Sequence, residues 1–412
     1  MSRRAAAVLI ALVAALGLAP SAPAGAAPPS LRARSAVLVQ PDTGDLVYAR
    51  APDQRRPMAS TTKLMTALLT LERSNLDDVV PAVPYHPQPA ESVAGLRAGE
   101  RLTVRDLLRA LLLQSANDAA VTLAVDVGGS QAAFVRAMNA RAAQLHLRNT
   151  HYANPVGLDE PGNYSSARDL VTLAQVLLRN RFFARTVDRP RATLTSGARV
   201  RRIVNRNLLV RRVPFVDGVK TGHTAQAGYV LIGAAERGGV RLVSAVLGDP
   251  SEAARDGDTL ALLRYGLRRY RAPLVVRRGA VLARPQLKDR GGRVDLVAAR
   301  SLRVVLRRGE GHSLQLAGVP GELDGPLGAG ARVGDVVVRR RGRAVGRVPL
   351  VTRAPVAAAS LADRVTSFFG SPLTLLLVAV LAGSTLQLAL MRRRAMRRRR
   401  ARSRRRRGTE AA

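Results

Sequence analysis

The sequence predicts an α+β domain, then a small all-β domain and a C-terminal membrane helix. Three observations carry that prediction. β-prone runs at "SAVLVQPDTGDLVYAR" and "GYVLIGAAERGGVRLVSAVLG" enclose a long block of helical periodicity. Strands at both ends with helices between imply one sheet built from both ends of the domain, with the helical block inserted. From about Pro273 the pattern changes to short Val/Leu runs cut by Gly, Arg and Pro, the signature of short strands. Finally, residues 365–391 carry no charge, and about 20 apolar residues suffice for a helix to cross a bilayer.

The chain opens with Arg3 and Arg4, an uncharged run over residues 5–18, and the small-x-small site Ala24-Gly25-Ala26. That is the layout of a secretory signal peptide, expected over residues 1–26 and excluded from the fold. The first domain is expected over residues 31–271. Asp42-Thr43-Gly44-Asp45 between two β-prone runs reads as a hairpin turn. Leu64, Ala67, Leu68 and Leu71 recur at i, i+3, i+4 and i+7, so a helix here buries one face. Thr103 and Asp106 have the spacing of a capping box opening the helix "VRDLLRALLLQ". Apolar helical segments then follow after Asn117, at "SQAAFVRAMNARAAQLHL" and at "SSARDLVTLAQVLL". The strand pair turning near Gly238-Gly239 and the helix "DGDTLALLRYGLRRY" close the unit.

The β-rich region is expected over residues 273–356 and shows no catalytic constellation; its expected role is a stalk. A linker is expected over 357–366, a transmembrane helix over 367–391 and a cytoplasmic tail over 392–412. The tail holds twelve arginines between Arg392 and Arg407. Positive charge beside a span stays in the cytoplasm, so the rest of the mature chain is expected outside, on a single-pass anchor in the cytoplasmic membrane. The net charge of +37 owes much to this tail, where topology and anionic lipid account for it. The other arginines are scattered with few aromatics among them, which argues against a nucleic-acid partner. The chain has no cysteine, which excludes disulfides, a thiol nucleophile and Cys-ligated metal. Its five histidines form no HExxH pair, and neither a metal nor a cofactor is expected.

Of 66 Lys plus Arg residues, three are lysines (Lys63, Lys220 and Lys288), leaving 63 arginines. A lysine amine can become neutral when desolvated or crowded by cations; a guanidinium effectively cannot. Two of the three lysines fall in short motifs. Ser60 and Lys63 in "ASTTKLMTALL" stand three apart at a helix start, so hydroxyl and amine share a face. A serine hydroxyl is a weak nucleophile until an adjacent base takes its proton, and a neutral lysine can be that base. Lys220-Thr221-Gly222 precedes the strand pair, where a glycine permits close approach by a ligand. Between them, Ser115-Ala116-Asn117-Asp118 interrupts two apolar helices; it reads either as a helix cap or as a proton relay with an amide-binding Asn.

In this order the three motifs match the S-x-x-K, S-x-N and K-T-G set of penicillin-recognising serine enzymes. The blocks "ASTTKLMTALL", "SANDAA", "NPVGLDEPGNYSSARDL" and "DGVKTGHTAQAGYVLIGAAER" resemble those of low-molecular-weight penicillin-binding proteins, the serine D-alanyl-D-alanine carboxypeptidases. The resemblance spans roughly residues 31–270. It implies a five-stranded antiparallel sheet flanked by helices, and a peptidoglycan stem peptide ending in D-Ala-D-Ala as substrate, with β-lactams as inhibitors. It further implies Ser60 as nucleophile, Lys63 as base, Ser115 as proton relay and Asn117 as holder of the substrate amide. Lys220, Thr221 and Arg255 would bind the terminal carboxylate, beside Gly222. The N–H groups of Ser60 and His223 would form an oxyanion hole. Two rivals are a β-lactamase, for which Glu160 is the nearest deacylating candidate, and a β-lactam sensor or scaffold without peptidase turnover. Lys220→Arg is expected to be milder than Lys63→Arg, because binding a carboxylate asks only for charge and reach.

Overall fold

The structure, a computed structural model, describes residues 27–409; the expected signal peptide 1–26 and the last three residues of the tail lie outside the described residues. The chain divides into two compact units, Met1–Arg271 and Ala272–Ala412.

The first unit begins with strands β1 (Ser35–Gln40) and β2 (Asp45–Arg50), an antiparallel hairpin turning at Asp42–Gly44. A single 3-10 turn, Ala59–Thr62, leads into α1 (Lys63–Arg73). The short antiparallel pair β3 (Val79–Pro81) and β4 (Arg101–Thr103) frames a loop over residues 82–100. Then come α2 (Val104–Arg109), α3 (Asn117–Gly128), α4 (Gln131–Gln144), α5 (Ala167–Leu178) and α6 (Arg181–Val187). A second short pair, β5 (Arg191–Leu194) and β6 (Arg201–Val204), precedes α7 (Leu208–Arg212). Strands β7 (Val216–Thr224), β8 (Gly228–Arg237) and β9 (Val240–Asp249), then α8 (Glu252–Arg269), complete the unit.

The main sheet has five antiparallel strands in the order β2-β1-β9-β8-β7. It is built from both ends of the unit, as the sequence predicts. α8 packs on one face and α5 on the other, with α1 and α3 beyond α5. Val230, Ile232, Val243 and Ala245 of the sheet join Leu64, Leu68, Leu111 and Leu170 in one buried core. Gly266 lets α8 lie close on the sheet: an added Cβ would meet Leu242 Cδ1 at 2.6 Å.

Two local expectations are amended. Thr103 caps α2 by accepting from Asp106 N at 3.3 Å, but the Asp106 carboxylate is drawn away to Thr195 N and Ser196, so the box is half-formed. The helix expected at "VRDLLRALLLQ" widens after Arg109 into a π turn, Ala110–Gln114.

The second unit carries a five-stranded sheet whose order is Val281–Ala283, Leu296–Ala298, Arg343–Thr352, Arg332–Arg340, Ser313–Ala317. Leu296, Leu306, Val336, Val338, Val348 and Leu350 form its core. A helix at Leu361–Gly370 is followed by a longer one at Pro372–Thr409. The expected span 367–391 straddles this junction. Pro fits the first helical turn because it has no N–H to leave unpaired, so a new helix starts at Pro372. Pro372–Arg397 is long and apolar enough to cross a membrane.

Candidate active site

The 3-10 turn puts Ser60 directly ahead of α1, with Ala59 in the left-handed region at φ 49°. Lys63 follows one turn later and is fully buried. Its Nζ donates to Ser60 Oγ at 3.0 Å and to the Val156 carbonyl at 2.5 Å. Burial lowers the Lys63 amine to about 7, against an opposing pull from Glu91 and Asp118. Desolvation penalises the charged form, so a large share of Lys63 is neutral at neutral pH.

The π turn ends at Ser115, which adopts a left-handed conformation at φ 64°. Backbone held in this region is strained for a residue with a side chain, and such strain clusters at functional sites. Here it aims Ser115 Oγ at strand β7, where Lys220 Nζ donates to it at 2.9 Å. Lys220 is almost wholly buried and also donates to the Thr221 carbonyl at 2.9 Å. Its amine lies well below the ordinary lysine range, first through burial and then through the nearby cations Lys63, Arg206 and Arg255. The structure thus joins two Ser–Lys pairs, Ser60 with Lys63 and Ser115 with Lys220.

Two glycines make the convergence possible. An added Cβ on Gly222 would lie 3.0 Å from Ala59 Cβ and 3.1 Å from Ser60 N, so β7 closes on Ser60 only because that atom is missing. Gly157 has φ 86°, and its Cβ would fall 2.0 Å from the Ala59 carbonyl oxygen.

Ser60, Ser115, Thr221, Gly222, His223 and Arg255 all line one cavity of about 570 Å³. The His223 ring stacks on Tyr229, with centroids 4.1 Å apart. Arg255, on α8, is almost wholly buried and bonds Glu252 and Asp256, each at 2.8 Å. Its Nε and Nη2 are committed to these carboxylates, which leaves Nη1 for a further anion.

Asn117 Nδ2 donates to Glu91 Oε2 at 2.9 Å, and its N–H donates to the Ser92 carbonyl. Glu160 is occupied by Asn154, whose Nδ2 lies 2.8 Å away. Sequence reasoning missed Glu91, Tyr85, Arg206 and the Val156 carbonyl. Val156 stands in the block "NPVGLDE", but nothing in a sequence marks which carbonyl will face an amine. Glu91 lies in the proline-rich stretch "PYHPQPAES", which has no period to read. Among the described residues no cluster of His, Cys, Asp and Glu could hold a metal ion.

Known proteins resemble this chain in sequence and in fold. A family model described as D-alanyl-D-alanine carboxypeptidase matches residues 22–251. D-alanyl-D-alanine carboxypeptidase DacD of Escherichia coli is 34% identical over 360 residues, covering 83% of this chain and 91% of that protein. The crystal structure of penicillin binding protein 5 from Haemophilus influenzae matches with a TM-score of 0.58 at 29% identity, covering 81% of this chain and 100% of the other. That of D-alanyl-D-alanine carboxypeptidase DacD from Francisella tularensis matches with a TM-score of 0.57 at 26% identity, covering 81% and 95%.

Proposed function

The chain belongs to the D-alanyl-D-alanine carboxypeptidase family, and from that premise we propose how its residues divide the work. The enzyme is a serine hydrolase that removes the terminal D-alanine from peptidoglycan stem peptides, and it is a penicillin-binding protein. The observation that carries the assignment of roles is the buried Lys63 amine 3.0 Å from Ser60 Oγ, lowered to about 7.

Ser60 Oγ attacks the carbonyl between the two D-alanines while Lys63 Nζ takes its proton. The contact that an ammonium donates through carries the proton the other way once the amine is neutral. The Ser60 and His223 N–H groups face the developing oxyanion. Collapse of the tetrahedral intermediate expels the terminal D-alanine as its amine, which receives through Ser115 the proton that Lys63 took from Ser60, so Lys63 is neutral again. Water then attacks the Ser60 acyl ester with Lys63 as base, and the proton Lys63 takes from water passes to Ser60 Oγ as the shortened peptide leaves.

Lys220, Thr221 and the Nη1 edge of Arg255 hold the terminal carboxylate, and Asn117 holds the acyl-side amide. An incoming carboxylate beside Lys220 favours its charged form, so substrate restores the cation that burial suppresses. The second unit holds the catalytic unit outside the cytoplasm, anchored by Pro372–Arg397, with the arginine tail inside. Glu160 is exposed and does not line the cavity that holds Ser60 and Ser115, which favours a carboxypeptidase over a β-lactamase.

Mass spectrometry of a stem pentapeptide incubated with the purified protein tests the reading. The expected product is the tetrapeptide plus free D-alanine, with penicillin labelling Ser60 and no labelling of Ser60→Ala. Labelling without D-alanine release indicates a sensor. Penicillin turnover faster than peptide turnover indicates a β-lactamase.

A further inference from the structure

Glu91 is an acidic side chain that reaches the catalytic groups and has no role in the reaction as derived. It stands in the loop 82–100, itself in no regular element, yet its position is built. The residues after it are fixed to the start of α3 and the end of the π turn. Asn117 N donates to the Ser92 carbonyl at 2.7 Å, and Gln114 Nε2 to the Val93 carbonyl at 2.7 Å. Ala94 N and Leu96 N donate to the Asp118 carboxylate at 2.9 and 3.0 Å. From the other side, Arg201 Nε holds the Ala94 carbonyl at 3.1 Å. Five hydrogen bonds thus fix the backbone within five residues of Glu91.

From this anchored loop the Glu91 carboxylate accepts from two donors, Tyr85 Oη and Asn117 Nδ2. Both donors are on Oε2. An amide NH₂ has two N–H groups, so Asn117 keeps one for a ligand while Glu91 fixes the plane of the amide. A bond from an amide to a carboxylate is charge-assisted and stronger than a neutral one. Glu91 also acts on Lys63 as the larger of two negative influences, the other being Asp118, while Lys63 itself pushes down the Lys220 amine on β7. Burial opposes ionisation of Glu91, but bonds from Tyr85, Asn117 and the Gln88 backbone, with the Lys63 charge, outweigh it and hold it ionised.

We propose that Glu91 is a positioning residue for acylation: it sets the Asn117 amide for the substrate and sets the charge felt by Lys63. This rests on the roles of Ser60, Lys63 and Asn117 proposed above. The two effects have opposite signs. Orientation of Asn117 favours the reaction. The negative charge favours the Lys63 ammonium, which cannot act as a base, and so holds the acid limb of acylation at higher pH.

Two substitutions separate them. Glu91→Gln keeps an oxygen that accepts from Asn117 and Tyr85 but removes the charge. Glu91→Ala removes both. The experiment is the second-order acylation rate of the full chain in detergent by a fluorescent penicillin, from about pH 5 to about pH 9, with Tm as a folding control. Glu91→Gln should keep the wild-type plateau, with its acid limb moved to lower pH, so that at about pH 6 it retains at least about twice the wild-type fraction of its plateau. Glu91→Ala should show the same displaced limb with a plateau about tenfold lower, as loss of one charge-assisted bond implies.

The proposal is overturned if both folded variants keep the wild-type profile. It is equally overturned if Gln and Ala lower the plateau alike without moving the limb, because that pattern marks a merely structural loop contact. Failure of the underlying reading shows separately, as wild-type protein that penicillin does not label at Ser60.

Discussion

At the scale of the residue, the proposed chemistry asks for two amines that guanidinium cannot replace. Lys63 has no solvent exposure, a carbonyl on one side and Ser60 on the other. A base must be neutral to act, so acylation should rise with pH through about 7, the value to which burial lowers this amine. Lys63→Arg keeps charge but cannot give up its proton, and acylation should fall by about 10²–10⁴-fold or more with the acid limb abolished. A folded Lys63→Arg that acylates within about tenfold of wild type would show that Lys63 is not the base. Lys220 changes an expectation formed from sequence. Its amine sits in a closed site between Ser115 Oγ and the Thr221 carbonyl, so reach and charge are not enough. Lys220→Arg must place a larger planar group there and should cost acylation at least about tenfold, through displacement of Ser115. Lys288→Arg, on a half-exposed lysine 4.0 Å from Asp324 in the second unit, should be silent. One penicillin-binding assay on the three variants gives the whole ordering.

At the scale of the element, the site is a meeting of ends. A 3-10 turn presents Ser60, a π turn presents Ser115, and the edge strand β7 presents Lys220. π turns inside helices are rare and frequent at functional sites, because the extra residue re-aims the side chains beyond it. The meeting depends on a loop that is not catalytic. Gly157 adjoins Val156, whose carbonyl holds Lys63, and its own Cα faces the Ala59 carbonyl. Gly157→Ala combines a positive φ with a Cβ 2.0 Å from backbone oxygen, so the Ser60 turn must move. It should destabilise the enzyme by about 3 kcal/mol or more and reduce acylation in whatever folds. Gly99→Ala is the control: its φ of 78° is equally unfavourable, but open space surrounds it. That variant should lose only about 1 kcal/mol. Equal falls in Tm for the two variants would mean that strain, not the close approach to Ala59, sets the cost.

At the scale of the whole molecule, the catalytic unit and the apolar helix belong to separate units of the chain. The leucine and valine side chains from Leu373 to Leu390 are exposed, about half to nearly three-quarters of each, which is the state of a helix whose solvent is lipid. A chain ending before Val365 should therefore leave exporting cells as soluble, penicillin-binding enzyme. Full-length protein should stay with membranes through a high-salt wash, since salt screens the arginine tail but not apolar burial. Truncated protein that pellets after the wash would place the anchor elsewhere in the chain.

The sheet assembled from both ends of its domain, the apolar C-terminal run and the order of the three motifs can all be read without a fold in hand. These are legible because strand and helix periods, charge runs and short motifs are local, and because Lys stands out against 63 arginines. Tertiary structure decided which atoms meet. Ser115 and Lys220 are 105 residues apart, and Lys63 and the Val156 carbonyl 93. Those contacts follow from sheet order and from backbone in left-handed conformations, neither of which has a period. Asn117 shows the limit most clearly. Its place in the motif is plain in the sequence, but its partner Glu91 comes from a proline-rich loop whose path is set by hydrogen bonds to α3 and the π turn. Backbone groups in such a loop must find partners wherever the packed domain offers them, and only the folded chain says where that is.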